Sequence, residues 1–200
     1  MSVQTRSANL GEVPPGVELV PGYLAPQAAR ALCARLCGSA AFAVHPVRIF
    51  GRTVPSPRET AWFAPPGMDY VYSGHRHVGA GLPNWLDVLR RSLADRCDAS
   101  FATILATRYR DGADSVSWHA DSEPELGAAP AIAVLSLGAT RDLCFRERGG
   151  GRGRWMVPLA NGDLLLMRAG VQARLQHAVP KRARAGERVS LSFRPYEAPT

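Results

Sequence analysis

The 200-residue sequence predicts a mainly β fold with flanking helices (α+β), its core an antiparallel sandwich or barrel of which the jelly roll is one form. Three observations carry that expectation. Two stretches with helical spacing lie before residue 100. After it, seven or eight short β-like runs follow one another, punctuated by Gly, Pro and Asp. A hydrophobic content of 46% over this length suffices to bury one core, so a single domain over 1–200 is expected.

The elements follow in order. Residues 1 to about 20 read as an extended lead-in, and 1–44 as an N-terminal tail and helix. "APQAARALCARLC", 25–37, places Ala28, Leu32 and Leu36 at helical spacing. From 45 to 80 the chain is rich in Pro, Gly, Arg and large aromatics, which suits short hairpins better than a linker. A second helix over 84–97 has Asn84 as N-cap, Asp87 in its first turn, and Leu86, Leu89 and Leu93 on one face. The core, 100–196, holds the runs "FATILATRY", "AIAVLSLG", "DLCFRE", "RWMVPL", "DLLLMR", "ARLQHAV" and "RVSLSFRPY". "ERGGGRGR", 147–154, is a basic loop rather than a phosphate cradle: it lacks the GxGxxG register and no helix follows.

Charge narrows the partners. Lys plus Arg number 24 against 17 Asp plus Glu, a net +7, and only Lys181 is a lysine. Arginine's planar fork suits phosphate, so a nucleic-acid partner is expected. No apolar run reaches about 18 residues, and the N-terminus lacks a signal-peptide core, which predicts a cytoplasmic protein with no membrane contact. The Arg, Ala, Gly and Pro bias points to a GC-rich bacterial source. Four scattered cysteines are expected reduced, with Cys33 and Cys37 as two buried small residues one helical turn apart. A monomer without an obligate protein partner is expected.

One short run carries chemistry. In "WHADSEPELG", 118–127, His119 and Asp121 are separated by one residue in a strand-like region. Alternation sends both to one face, roughly 7 Å apart along the backbone, close enough to chelate one ion. His177, in "ARLQHAVP", supplies a third ligand, and two His with one carboxylate suit non-haem Fe(II) and oxygen. H-x-D alone is weak. Downstream, "RVSLSFR" places Arg188 and Arg194 on one strand face, where two inward arginines require an anion such as a small dicarboxylate. Alternation equally allows both to face solvent, with Val189, Leu191 and Phe193 inside. His75 and His77 have the spacing of a ligand pair but read as surface residues beside a basic loop.

Taken in order, "TRYRDGADSVSWHADSEPELG", "SLGATRD", "GDLLLMRAGVQARLQHAVP" and "ERVSLSFRPY" resemble the AlkB-like Fe(II)- and 2-oxoglutarate-dependent dioxygenases, over about 45–196. The resemblance implies a double-stranded β-helix (jelly roll) that uses Fe(II), 2-oxoglutarate and O2. It implies iron ligands His119, Asp121 and His177, and a cosubstrate site of Arg188, Arg194, Tyr109, Thr107 and Ser190. Thr107 stands where the family commonly has Asn, and Ser190 where it commonly has Asn between the arginines. It further implies that 45–80 is a nucleotide-recognition lid. There Tyr72 would stack on a flipped base, Tyr70 hydrogen-bond near it, Arg58 meet phosphate or base, and Phe50 wedge into the stack. Glu123 would reach the target base.

The activity so implied is oxidative demethylation of 1-methyladenine and 3-methylcytosine in DNA, releasing formaldehyde and succinate. An RNA demethylase, a protein or small-molecule hydroxylase, and a non-catalytic nucleic-acid-binding module are the alternatives.

Overall fold

The alternating runs after residue 100 build two facing antiparallel sheets. The larger orders six strands as β1 (Val17–Val20), β12 (Leu164–Met167), β9 (Ile132–Gly138), β14 (Arg188–Arg194), β7 (Thr103–Tyr109) and β4 (Glu59–Phe63). The smaller orders β11 (Arg154–Leu159), β10 (Arg141–Glu147), β13 (Leu175–Val179) and β8 (Val116–His119). Two hairpins stand outside both: β2 (Pro46–Ile49) with β3 (Arg52–Pro55), and β5 (Tyr70–Tyr72) with β6 (His75–His77). These come from a computed structural model that describes residues 12–38, 42–49, 51–72, 75–150 and 153–197. The architecture is the expected jelly roll.

The core has two layers of apolar packing, and their division positions the site. Val134, Leu143, Phe145, Val157 and Leu165 fill the space between the sheets. Behind the larger sheet, helices α1 (Pro26–Cys37) and α2 (Asn84–Cys97) bury Ala29, Leu36, Leu86 and Leu93 against Leu135, Leu191 and Phe193. Strand β14 is therefore covered on both faces. Val189, Leu191 and Phe193 point to the helices, and Arg188 and Arg194 point into the sandwich, at 1% and 4% exposure. The solvent-facing alternative for these arginines fails because the helices leave neither face of β14 open.

Several local expectations change. The lead-in is not merely extended: β1 pairs antiparallel with β12 and closes the edge of the larger sheet. Within 45–80, β4 joins that sheet beside β7. In α1 Leu36 is buried as expected and Leu32 half-buried, but the buried alanine is Ala29, while Ala28 is exposed. Asn84 does not cap α2; Pro83 holds the N-cap position with extended backbone, and no side chain caps the helix. Asp87 sits in the first turn and pairs with Arg90 and Arg91. A one-turn helix α3 (Val171–Arg174) takes the start of the "ARLQHAV" run before β13 begins. Cys33 and Cys37 are half-buried rather than buried, and all four cysteines are free. No helix among the described residues is long and apolar enough to cross a membrane.

One glycine fixes how α1 meets the sheet. Gly162, before β12, has φ +93°, and a Cβ there would lie 2.3 Å from the Leu24 carbonyl oxygen. Its own carbonyl accepts the Leu24 N–H at 3.0 Å and its N–H donates to Ser136 at 2.8 Å, so the backbone cannot retreat. Gly162→Ala is expected to lower the unfolding free energy by about 1–3 kcal/mol. Urea denaturation measures this; an unchanged midpoint would mean that the Leu24 segment yields freely.

Candidate metal centre and cavity

Strand pairing, not sequence proximity, assembles the site. His177 on β13 lies directly opposite His119 on β8, and the two rings stand 4.3 Å apart between centroids. Asp121, just past β8, places one carboxylate oxygen 3.8 Å from His119 Nε2 and the other 3.8 Å from His177 Nε2. The backbone there is pinned: the Asp121 N–H donates to Gln172 Oε1 at 3.0 Å, and His119 Nδ1 lies 2.8 Å from the Ser117 carbonyl. That last contact fixes the tautomer that leaves Nε2 as the ligand atom.

Electrostatics suit a metal. Burial opposes ionisation of Asp121, but Arg194, His177 and His119 together outweigh it and hold its carboxyl below the usual range. Burial, with His119 beside it, pulls His177 down to about 3, against the smaller opposing effect of Asp121. The donor set thus offers the Asp121 carboxylate and the His177 lone pair at neutral pH, with the His119 ring beside them. All three ligand atoms lie within 4.8 Å of one another, and this set fits Fe(II) with positions left open.

Arg188 shows a second requirement. Its Nε donates to Ser136 Oγ at 3.0 Å, its guanidinium lies 5.1 Å from the Tyr109 ring centre, and its Nη1 has no partner among the described residues. Burial pulls its pKa down, and no carboxylate is among the groups acting on it. A buried guanidinium without a counter-charge fits an anion such as the cosubstrate carboxylate. Beside it, Thr107, Ser190 and Ser136 are register partners across three adjacent strands, a row of hydroxyls along the sheet. The short Thr107 and Ser190 side chains therefore extend a polar strip rather than leave a gap.

Arg194 serves a different partner. Its Nη2 donates to Asp121 Oδ1 at 2.8 Å and its Nη1 to the Tyr70 hydroxyl at 3.2 Å. Tyr70 in turn donates to Glu123 Oε1 at 2.8 Å. A continuous chain of hydrogen bonds thus runs from the candidate metal ligand Asp121 to Glu123. Glu123 Oε2 is buried and unpaired among the described residues, so this carboxylate is not a solvent-facing side chain.

His119, Asp121, His177, Arg188, Tyr70 and Arg58 line one cavity of about 870 Å³, counting its open mouth. Arg58 is half-buried and reaches the Ser115 carbonyl at 3.4 Å. Phe50 lies outside the described residues, and of Tyr72 only the backbone is described, paired with His75. His77 is only 8% exposed and lines this cavity, which corrects the surface expectation for it; His75 beside it is half-buried.

Sequence reasoning missed Ser136, Gln172, Arg141 and His45. Arg141 is buried, donates to three backbone carbonyls (Asp111, Asp114 and Pro180), and lies 5.4 Å from the face of the Tyr109 ring. The polar serine inside the apolar run "AVLSLG" was the one available signal among these four.

The family model described as 2OG-Fe(II) oxygenase superfamily matches residues 16–194. The chain is 41% identical over 154 residues to the alpha-ketoglutarate-dependent dioxygenase alkB homolog 3 of Rattus norvegicus, covering 71% of this chain and 51% of that protein. It is 32% identical over 178 residues to the DNA oxidative demethylase ALKBH2 of Arabidopsis thaliana, covering 74% and 56%. The chain thus spans about half the length of the curated relatives it matches. The solved structure of OsALKBH1 superposes with a TM-score of 0.66 at 16% identity, over 92% of this chain and 99% of that one, a likeness of fold.

Proposed function

The chain belongs to the 2OG-Fe(II) oxygenase superfamily, and from that premise we propose that it is an oxidative demethylase of alkylated nucleic-acid bases. The observation that carries this reading is the single cavity that joins the His119–Asp121–His177 triad to the unpaired Arg188 guanidinium. When bound at the triad, Fe(II) with 2-oxoglutarate and O2 supplies the oxidising power to hydroxylate an N-methyl group. The hydroxylated methyl is a hemiaminal that breaks down to formaldehyde and the repaired base.

The chain's own residues then have distinct tasks. Arg188 neutralises the far carboxylate of the cosubstrate, while Ser136 and Tyr109 fix its guanidinium. Arg194 holds Asp121 in its ionised form and in place. Arg58 and the net charge of +7 favour a polyanionic substrate. Tyr72 and Phe50 carry the proposed stacking and wedging roles. DNA is the proposed substrate, since the Arabidopsis thaliana relative bears the name DNA oxidative demethylase.

Incubation with Fe(II), 2-oxoglutarate and oligonucleotides bearing 1-methyladenine or 3-methylcytosine tests the proposal. Formaldehyde release with loss of the methyl mass is expected, faster on DNA than on matched RNA. Turnover confined to peptides or small molecules would reject it.

Glu123 sets lesion preference within this reading. Its Oε1 is occupied by Tyr70, and its unpaired Oε2 is the acceptor proposed for the exocyclic N–H of the base. 1-Methyladenine and 3-methylcytosine are cationic near neutral pH, so a carboxylate favours them over their neutral parents. Glu123→Gln keeps an acceptor for Tyr70 but removes the charge. It is expected to keep iron and 2-oxoglutarate binding while losing at least tenfold in turnover of the cationic lesions, about 1.4 kcal/mol. 3-Methylthymine turnover is expected to fall less. Equal losses on all three would assign Glu123 a purely structural role.

A further inference from the structure

Three of the five histidines meet at a second place. His45 lies just before β2, and His75 and His77 are the two ends of β6, so strand alternation turns the latter pair to one face. Their ring centroids are 4.2 Å apart for His45 and His75, 4.6 Å for His45 and His77, and 4.8 Å for His75 and His77. Each offers a ring nitrogen, and these atoms all lie within 4.8 Å of one another. We propose that His45, His75 and His77 form a second metal site, separate from the His119–Asp121–His177 triad, which takes one divalent transition-metal ion of the zinc class.

The donor set dictates that class. Three imidazoles with neither thiolate nor carboxylate suit Zn(II) and its neighbours and do not suit Mg(II) or Ca(II), which require oxygen. Burial pulls His77 down to about 4, and burial and His75 pull His45 below its ordinary value, so these two rings favour the metal-binding form. At His77 the neighbouring His45, His75 and the Arg194 cation add to the effect of burial. At His77 a metal ion therefore meets a lone pair rather than a proton.

The positions are also prepared. His77 pairs with Tyr70 across β5 and β6 and stacks on its ring at 5.9 Å, and Tyr70 stacks on Trp62 at 4.9 Å. Metal–nitrogen bonds of about 2.0–2.1 Å at tetrahedral angles bring ligand atoms to about 3.3 Å from one another. Rotation of the half-buried His45 and His75 rings supplies that closure around the fixed His77. Packed as apolar rings alone, three imidazoles in mutual contact would crowd their polar nitrogens for no gain. An ion would tie the β5–β6 hairpin to the segment that opens β2–β3, and it would do so at the wall of the main cavity, which His45 and His77 line.

Co(II) titration of the metal-free full chain, followed by visible absorption and by calorimetry, tests this. Two equivalents are expected, one at each site, without the near-ultraviolet thiolate band that cysteine ligation would give. His45→Asn and His75→Asn, prepared separately at the half-buried positions, should each reduce the stoichiometry to one or weaken the second equivalent at least tenfold. Asp121→Ala should retain the equivalent that those variants lose. A wild-type stoichiometry of one, or two equivalents retained at unchanged affinity in both histidine variants, overturns the proposal.

Discussion

Asp121→Ala is expected to abolish the proposed demethylation and uncoupled 2-oxoglutarate turnover alike, by at least a thousandfold, about 4 kcal/mol in the barrier. The substitution removes the only anionic member of the triad. It also strips Arg194 of its counter-charge. Burial opposes the charge on that guanidinium, and Asp121 foremost, with Tyr70 and Glu123, reverses the balance so that its pKa is raised overall. Breaking a buried ion pair from one side costs about 3–5 kcal/mol of stability, so the variant should also unfold at lower temperature or urea concentration. Arg194 would keep its hydrogen bond to Tyr70, and its Nε is already without a partner among the described residues.

The two losses are separable. Asp121→Asn retains shape and an acceptor for Arg194 while removing the charge, so it should recover part of the stability and none of the activity. Near-normal turnover in either variant would move the metal elsewhere in the chain. Recovered stability with absent metal uptake would place the defect at the metal, not in the fold.

What the sequence made legible, and what it hid, follows from how far apart the partners lie. H-x-D puts two ligands within three residues, and the fixed spacing of Arg188 and Arg194 guarantees a shared strand face. Which face that is depends on α1 and α2, whose packing against β14 no alternation can encode. Gln172 supports Asp121 from a one-turn helix 51 residues away, and Ser136 meets Arg188 across 52 residues; both depend on register between strands. His45 meets His75 and His77 only because the hairpins fold over one another. The chain of bonds from Asp121 through Arg194 and Tyr70 to Glu123 draws on three separate segments. It links the metal ligand to the residue proposed to read the base, so a single local motif cannot display it.

Arg188 gives the opposite balance to Asp121. Its guanidinium is 1% exposed, held by Ser136 and the Tyr109 ring, with Arg141 on the same phenol ring. Two guanidinium groups on one ring, with no carboxylate among the described groups that act on Arg188, are a standing electrostatic cost to the empty protein. Arg188→Met should therefore leave thermal stability unchanged or higher. The same substitution leaves the far carboxylate of 2-oxoglutarate unpaired in a buried pocket, which costs about 3 kcal/mol or more, roughly 150-fold in affinity. Arg188→Lys keeps the charge but loses the planar fork and the Ser136 contact, and should fall between the two. Calorimetric titration of 2-oxoglutarate, with Mn(II) in place of iron under anaerobic conditions, reads these affinities without turnover. A weakened fold together with unchanged affinity would show that Arg188 stabilises the sandwich and that another residue receives the carboxylate. Unchanged stability with collapsed affinity is the expected pair, because the anion that completes this charge arrives with the cosubstrate.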